Sequence, residues 1–577
     1  MPGTGRIDYL RKAKTKQRVM RKIHLVLGIA CALTLVAGSV SAAPAGKSDR
    51  RDFEVSRNLD IFNALFKELN LFYVDTINAE KAIGDGVNAM LGRLDPYTEY
   101  IPEKEKDDFF FSTTGEYAGI GSLIMERDKA VYISEPYEGM PAQLAGLRPG
   151  DKIVMINNDS VAGWSSSKVS ERLKGPANTK LKVTVERPGV EGLLSFDLTR
   201  KKIQMPAVPY YDVVCDSVGY IYLSSFTDSA ADEVKRALQE LKRRGITSLV
   251  LDLRGNGGGI LEQAVQIVNL FVPKGVEVLS TRGRNKKMDK IYKTTQEPVD
   301  EKIPLAVLID GGTASSSEIV AGSLQDLDRA VIVGSRSYGK GLVQSTRPLP
   351  YNGMLKVTIA RYYIPSGRLI QAIDYSHRNP DGSVARIPDS LTHEFKTAHG
   401  RIVRDGGGIK PDVETSVERR GNIGYYLMRD FYFFDFANQY AARHDTIAPA
   451  KEFVLPDSVY NEFKAFVKSK NFKYDKQSER ILSDLKEVAK FEGYFDEKTQ
   501  KQFEALEASL NHDLDRDLET FRDEISQLLS IEIVKRYYHQ KGEIIESIKD
   551  DKDLTEACSI VNDKTRYGQI LNLTGKH

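Results

Sequence analysis

The sequence is short of the residues on which many enzymes depend. It has 8 histidines and 3 cysteines in 577 residues. The histidines are His24, His377, His393, His399, His444, His512, His539 and His577, and none falls within 205–373. No H-E-x-x-H pair occurs, which excludes that zinc hydrolase motif. A Ser-His-Asp arrangement would have to draw its histidine from outside that segment. Cys31 lies in an N-terminal apolar run, where Gly28-Ile29-Ala30 is a poor lipoprotein signal. Cys215 and Cys558 read as two isolated buried thiols, with a disulfide as the alternative in an oxidising compartment. An excess of charge is lacking too: 82 Lys+Arg against 80 Asp+Glu give +2, which argues against nucleic acid as a partner. No internal repeat or low-complexity segment is present. Hydrophobic runs are scarce, and the one at Ile23–Val40 is short for the ~20 residues of a membrane span. A charged fraction of 28% with 9% aromatics excludes a wholly disordered chain and a multi-span membrane protein.

What is present is unevenly spread. The first 22 residues carry eight basic side chains (Arg6, Arg11, Lys12, Lys14, Lys16, Arg18, Arg21, Lys22) and one acid, Asp8. The apolar run follows, then Ser39, Ser41, Ala42 and Ala43. A basic start, a short apolar stretch and small residues describe a secretory leader over 1–43. Its removal near Ala42 leaves 74 bases and 79 acids, a net charge of −5. The expectation is an exported protein of the periplasm or cell envelope, associated with a membrane only if the leader is retained.

Beyond the leader the pattern changes four times. Leu59, Phe62, Phe66 and Leu69, then Ile83, Val87, Met90 and Leu94, recur at helical spacing and predict two packed helices within an N-terminal helical region, 53–111. Residues 112–203 are β-rich, with strands at Lys129–Ser134, Lys152–Ile156 and Lys180–Glu186 and a helix at Ser165–Leu173. From 204 to 418 strand and helix alternate: Gly219–Leu223, Ala230–Arg244, Leu249–Leu253, Ile260–Phe271, Leu305–Ile309, Ser316–Leu327, Ala330–Val333 and Leu355–Ile364. That alternation predicts a parallel α/β sheet with helices packed on it. Residues 374–408 read as loop. From 419 to 577 the chain is helical and charged. There Leu514, Leu518, Phe521, Ile525 and Leu528 form one amphipathic stripe, read as an appended packing domain.

Three Gly/Ser-rich stretches lie at strand ends of the α/β region, where such sheets collect function. Asp252-Leu253-Arg254-Gly255-Asn256-Gly257-Gly258-Gly259 fails the dinucleotide fingerprint because position 260 is isoleucine. Gly334 with Gly339-Lys340 imitates a phosphate loop, but Gly341 replaces its metal-binding hydroxyl and Pro348 limits the helix that should follow. In Asp310-Gly311-Gly312-Thr313-Ala314-Ser315-Ser316-Ser317-Glu318-Ile319 a small-residue turn leads from strand to helix. Such a turn presents a hydroxyl beside backbone N–H groups, which suits a nucleophile with an oxyanion site. A serine at neutral pH needs a base, and with no histidine nearby Lys340 is the candidate. Lowering a lysine from ~10.4 to about 7–8 takes about 4 kcal/mol of bias against the ammonium, which an apolar pocket can supply. Gln344, four residues on, can hydrogen-bond the amine and aim it.

Together these stretches resemble the C-terminal processing peptidases, serine peptidase family S41. Thr313–Ile319 resembles the family's nucleophile motif and Tyr338-Gly339-Lys340-Gly341-Leu342-Val343-Gln344 its lysine motif, with matching spacing. Leu94-Asp95-Pro96-Tyr97, Tyr362-Tyr363-Ile364-Pro365-Ser366-Gly367-Arg368 and Gly407-Gly408-Ile409-Lys410-Pro411-Asp412 look like further landmarks. The likeness covers about residues 55–415. It departs at Thr313, where serine is usual, and at Ser316, where alanine is common. The resemblance implies a crotonase-like core, a Ser315–Lys340 dyad with Gln344, and an oxyanion hole from the N–H groups of Gly258 (with Gly257 as the alternative) and Ser316. It implies no cofactor or metal. Residues 112–203 look like a PDZ domain: Gly119-Ile120-Gly121 resembles the loop that holds a peptide's terminal carboxylate, and Ala145–Ile153 resembles a turn and strand found across such domains. The implied partners are protein substrates held by their C-termini, and a homo-oligomer is left open. The alternative is a PDZ peptide-binding scaffold with a dead peptidase core.

Overall fold

The computed structural model describes residues 47–573, apart from 108, 111–114, 380, 416–420, 475 and 511–512. The expected leader lies outside the described residues. The chain divides into two units, up to Ala89 and from Met90. The first is helical: Lys47–Phe72 is one helix, and Ala79–Gly92 begins in this unit and ends in the second. Their apolar stripes stay largely open to solvent, with Leu59 at 63% and Phe62 at 52% exposure. Phe66, Ile83 and Val87 are half-buried, so among the described residues the expected pair encloses no core of its own. Two helices of this length cannot enclose a core by themselves.

In the second unit the centre is a six-stranded sheet in the order Tyr210–Val214, Val218–Tyr222, Ser248–Asp252, Leu305–Ile309, Val331–Gly334, Val413–Glu414. The first pair is antiparallel and the rest are parallel. Its strands are nearly continuous apolar runs because both faces are covered. Side chains alternate between the faces. Leu249, Leu251, Val307 and Ile309 point into one core with the helices Ala230–Arg243, Leu261–Asn269 and Ser316–Asp326. Val250, Ala306, Leu308 and Val333 point into the other, which is completed by Phe436, Phe463, Ile525, Ile533, Ala557 and Ile560. The C-terminal helices are thus half of the sheet's covering and not an appendage. Their expected single stripe at 514–528 is broken at Phe521 into the helices Leu514–Thr520 and Arg522–Ser547.

A second, antiparallel sheet carries Met354–Tyr363, paired with Glu99–Ile101, Glu277–Gly283 and Leu342–Pro348, while Lys290–Lys293 extends it beyond Glu277–Gly283. The strand Leu342–Pro348 follows the imitation phosphate loop directly. A strand thus stands where a phosphate loop requires its own helix, and the Glu318 carboxylate at the neighbouring helix start takes the Gly339 and Lys340 N–H groups, so the physical basis for phosphate binding there is missing. The segment 374–408, expected as loop, holds one short hairpin, Glu394–Lys396 with Ile402–Arg404. The β-rich insert is an antiparallel sheet, Ser122–Arg127, Ala130–Pro136, Lys152–Ile156, Lys180–Glu186, Leu193–Thr199, with the helix Ser166–Leu173 beside its first strand. Ser165 caps that helix, its hydroxyl accepting from the Lys168 N–H.

Candidate active site

Ser315 stands where strand Leu305–Ile309 turns into helix Ser316–Asp326, with φ 57° and ψ −114°. Such a backbone costs of order 1–3 kcal/mol and persists only where the surroundings impose it. Here they do. Ala314 N–H donates to Asn256 O at 3.0 Å and Ser317 Oγ to the same oxygen at 2.8 Å. Thr313 Oγ1 donates to Leu253 O and Ser316 Oγ to Gly259 O, both at 2.9 Å. The two residues that depart from the family pattern therefore stitch the serine turn to the glycine-rich stretch.

Glu318 is wholly buried and joins the serine and lysine turns. Its Oε2 accepts from the Ser315 and Lys340 N–H groups, each at 2.8 Å. Its Oε1 accepts from Gly339 N–H at 2.7 Å and Ser337 Oγ at 2.5 Å. Burial pushes this carboxyl above its ordinary value, and the four donors pull it back. From the other side the Tyr362 hydroxyl is placed to donate to Lys340 O at 2.9 Å and Ser315 O at 3.2 Å. One carboxylate thus grips both amides and one phenol both carbonyls. Gly339 lets the lysine turn come this close: with φ 90°, a Cβ there would lie 2.3 Å from that of Ala372.

Lys340 lies half-buried in this turn. Burial, reinforced by the nearby Lys356 charge, lowers its ammonium from the ordinary value, while Glu318, Asp95 and Glu99 act the other way. Its Nζ sits 4.3 Å from the centre of the Tyr97 ring. Asp95 fixes that ring by accepting from the N–H groups of Tyr97 and Thr98, each at 2.8 Å. Among the described residues no hydrogen bond joins Lys340 Nζ to Ser315 Oγ or to Gln344. Gln344 Nε2 instead donates to Thr358 Oγ1 at 3.1 Å.

Of the two expected oxyanion donors, one has a partner within the protein. Gly258 lies against the serine turn, where a Cβ would be 2.8 Å from that of Ser315. Its own N–H, however, donates to Asn256 Oδ1 at 2.9 Å. The Asn256 side chain thus folds back onto the turn it opens. The Ser316 N–H, at the first position of its helix, has no partner among the described residues. In the β-rich insert, Ile120 and Gly121 anchor their loop by accepting from the N–H groups of Ala142 (2.8 Å) and Tyr137 (2.9 Å). Gly119 ends a strand paired with Lys201–Gln204. Burial raises the Tyr117 phenol, and the nearby Ser122 and Gly121 backbones draw it back, so the loop faces an internal phenol.

Sequence reasoning missed Glu318, Tyr362 and Tyr97 as parts of the site. Glu318 was legible as an acid in the first turn of a helix, a place more often read as a capping feature. Tyr97 and Tyr362 stood in recognised landmarks without an assigned task. The cysteines differ as well, since Cys215 is exposed and only Cys558 is buried. Among the described residues, no cluster of three or more His, Cys, Asp or Glu could hold a metal ion, and no helix is long and apolar enough to cross a membrane.

Comparison with known proteins places these elements. Residues 217–384 match Peptidase family S41, residues 132–187 a PDZ domain, and residues 423–561 the C-terminal helical domain of "Probable PDZ-protease". The Carboxy-terminal-processing protease of Bartonella bacilliformis is 33% identical over 359 residues, 62% of this chain and 81% of that one. Carboxy-terminal processing protease CtpB of Bacillus subtilis is 31% identical over 333 residues, 57% and 68% of the two chains. Among solved structures, a photosystem II D1 C-terminal processing protease is similar, with 28% identity, coverage of 61% of this chain and 86% of that one, and a TM-score of 0.34. The chain belongs to peptidase family S41 and is a carboxy-terminal processing protease, a serine-type endopeptidase that carries a PDZ domain.

Proposed function

We propose that the enzyme cleaves proteins by a Ser315–Lys340 dyad and selects them by their C-terminal tails. The observation that carries the dyad is the double grip of Glu318 and Tyr362, which holds the two backbones side by side. Lys340, as the neutral amine, takes the proton while Ser315 Oγ attacks the peptide carbonyl. The resulting ammonium then protonates the leaving amine, and water releases the acyl-enzyme. Gln344, its nitrogen engaged by Thr358, keeps its carbonyl oxygen for the Lys340 ammonium. The Ser316 N–H is the first oxyanion donor. Gly258 serves as the second once the developing charge draws its N–H from Asn256 Oδ1.

Tail selection rests on the edge strand Ser122–Arg127. A substrate's last residues pair with that edge beside helix Ser166–Leu173, and the terminal carboxylate takes the place of the Tyr117 phenol beside the Gly121 and Ser122 N–H groups. The domain limits are those read from the sequence, with the PDZ domain over 112–203 and the peptidase core over 204–418. The basic start and apolar run support export to the cell envelope.

One experiment tests both parts. An unstructured protein ending in an apolar residue is offered with a free or an amidated C-terminus to wild type, Ser315→Ala and Lys340→Ala. The free tail is cleaved at full rate by wild type alone, with kcat lower by about 10²–10⁴-fold for Lys340→Ala. Near-normal activity of Lys340→Ala overturns the dyad. Equal cleavage of the two tails overturns tail capture.

A further inference from the structure

Cys215 and Cys558 come from distant parts of the sequence and meet at one corner of the core. Cys215 follows strand Tyr210–Val214 in the hairpin that leads to Val218–Tyr222. Cys558 belongs to helix Lys552–Asn562, which lies across the face of the same sheet. The run of that helix is fixed at both ends. Before and at its start, Asp551 and Asp553 pair with Arg254, just past the C-terminal end of strand Ser248–Asp252, at 2.6 and 3.3 Å. At its end, Asn562 Oδ1 accepts from Ser248 Oγ at 3.3 Å, at the strand's beginning. Ser248 pairs in register with Val218, the residue that closes the Cys215 hairpin. Cys558 precedes Asn562 by one helical turn, on the same face. The topology therefore delivers both side chains to the edge of the sheet, close enough that Cys215 helps to raise the Cys558 thiol. Cys215 also holds a left-handed backbone, φ 46°, at a hairpin position that favours asparagine or glycine.

We propose that Cys215 and Cys558 form a disulfide that staples the C-terminal helices to the edge of the peptidase sheet. Their exposures set the order of events. Cys215 is exposed and meets a disulfide donor of the glutathione or dithiol-oxidoreductase class. Its thiolate attacks the donor, forming a mixed disulfide and releasing one donor thiolate. Cys558, buried beneath it, then attacks the Cys215 sulfur, forming the internal disulfide and releasing the second. The two protons lost by the cysteines go to the two released thiolates, and the two electrons reduce the donor. Burial raises the Cys558 thiol above its ordinary value, as do Cys215 and Asp551. Cys558 is thereby shielded from outside reagents and left to its neighbour.

The test uses the full chain equilibrated with excess glutathione disulfide, then denatured in acid, alkylated and digested for mass spectrometry. The expected product is one peptide pair joining Cys215 to Cys558, lighter by the two hydrogens lost and separated by dithiothreitol. Cys215→Ser removes the pair and leaves Cys558 alkylated only after denaturation. Recovery of Cys215 as a stable glutathione adduct, or of both cysteines as alkylated thiols, overturns the proposal. These readings are made on wild type, so they stand even if the variant fails to fold.

Discussion

Glu318 is the residue on which the geometry of the site turns. Glu318→Gln keeps the shape but sets an N–H₂ group against amide donors that now meet a carboxylate oxygen. Each unmet buried group costs about 1–3 kcal/mol, so the turns shift and the serine and lysine lose their alignment. The expected result is a fall in kcat of at least ~10-fold with KM little changed, measured on a short peptide alongside the melting temperature. An unchanged kcat in a stably folded variant removes Glu318 from the account. The sequence shows why this role stayed hidden. Ser315, Lys340 and Gln344 could be nominated from the sequence because the proposed chemistry asks for a nucleophile, a base and a hydrogen-bonding partner for that base. The task of Glu318 exists only after a strand, a helix and a turn bring three backbone amides to one point.

At the scale of elements, the PDZ domain is held by the C-terminal helices through two charge contacts. Arg127 pairs with Asp435 at 2.8 Å and lies 5.2 Å from the centre of the Phe431 ring. Glu135, with 8% of its side chain exposed, pairs with Lys535 at 3.0 Å, and Lys535 also reaches Glu543 at 2.7 Å. Burial lowers the Lys535 ammonium, but the two carboxylates outweigh it and hold the group above its ordinary value. Lys535→Ala strands the Glu135 charge in a mostly buried place, at a local cost of about 3 kcal/mol. Faster hydrogen exchange in strand Ala130–Pro136 is expected. Unchanged protection there means that the ion pair does not anchor the domain. The strands and helices of 205–373 were readable because their apolar runs and glycine stops are local signals. The docking of residue 127 on residue 435 has no local signal.

For the whole molecule, the decisive fact is a sheet with two buried faces. The sequence announced the parallel sheet through its alternation, yet it did not say which helices cover which face. That division follows from side-chain alternation within each strand, visible only once the register is known. Removing residues 419–577 exposes Tyr220, Val250, Leu308, Val331 and Val333 together, all buried in the intact chain. Each loses about 1.5–3 kcal/mol of burial, and their sum rivals the ~5–15 kcal/mol stability of a folded protein. The truncated chain is expected to be insoluble or unfolded on expression. A soluble, active 1–418 fragment contradicts this.

The central claim, that Lys340 is the base for Ser315, makes a sharper demand on pH. Burial and the Lys356 charge lower the Lys340 ammonium from the ordinary 10.5. Only the deprotonated amine accepts the serine proton, so activity rises as pH rises through the lowered value. Lys356→Gln removes the repelling charge and frees Glu99, with which Lys356 pairs at 2.7 Å. Both changes favour the ammonium, so they move the rise to higher pH. The direct measurement is the pH profile of kcat/KM for wild type and Lys356→Gln. The account predicts an ascending limb below the ordinary lysine value that shifts upward in the variant. A limb near the ~6.5 of histidine, unmoved by Lys356→Gln, would contradict it.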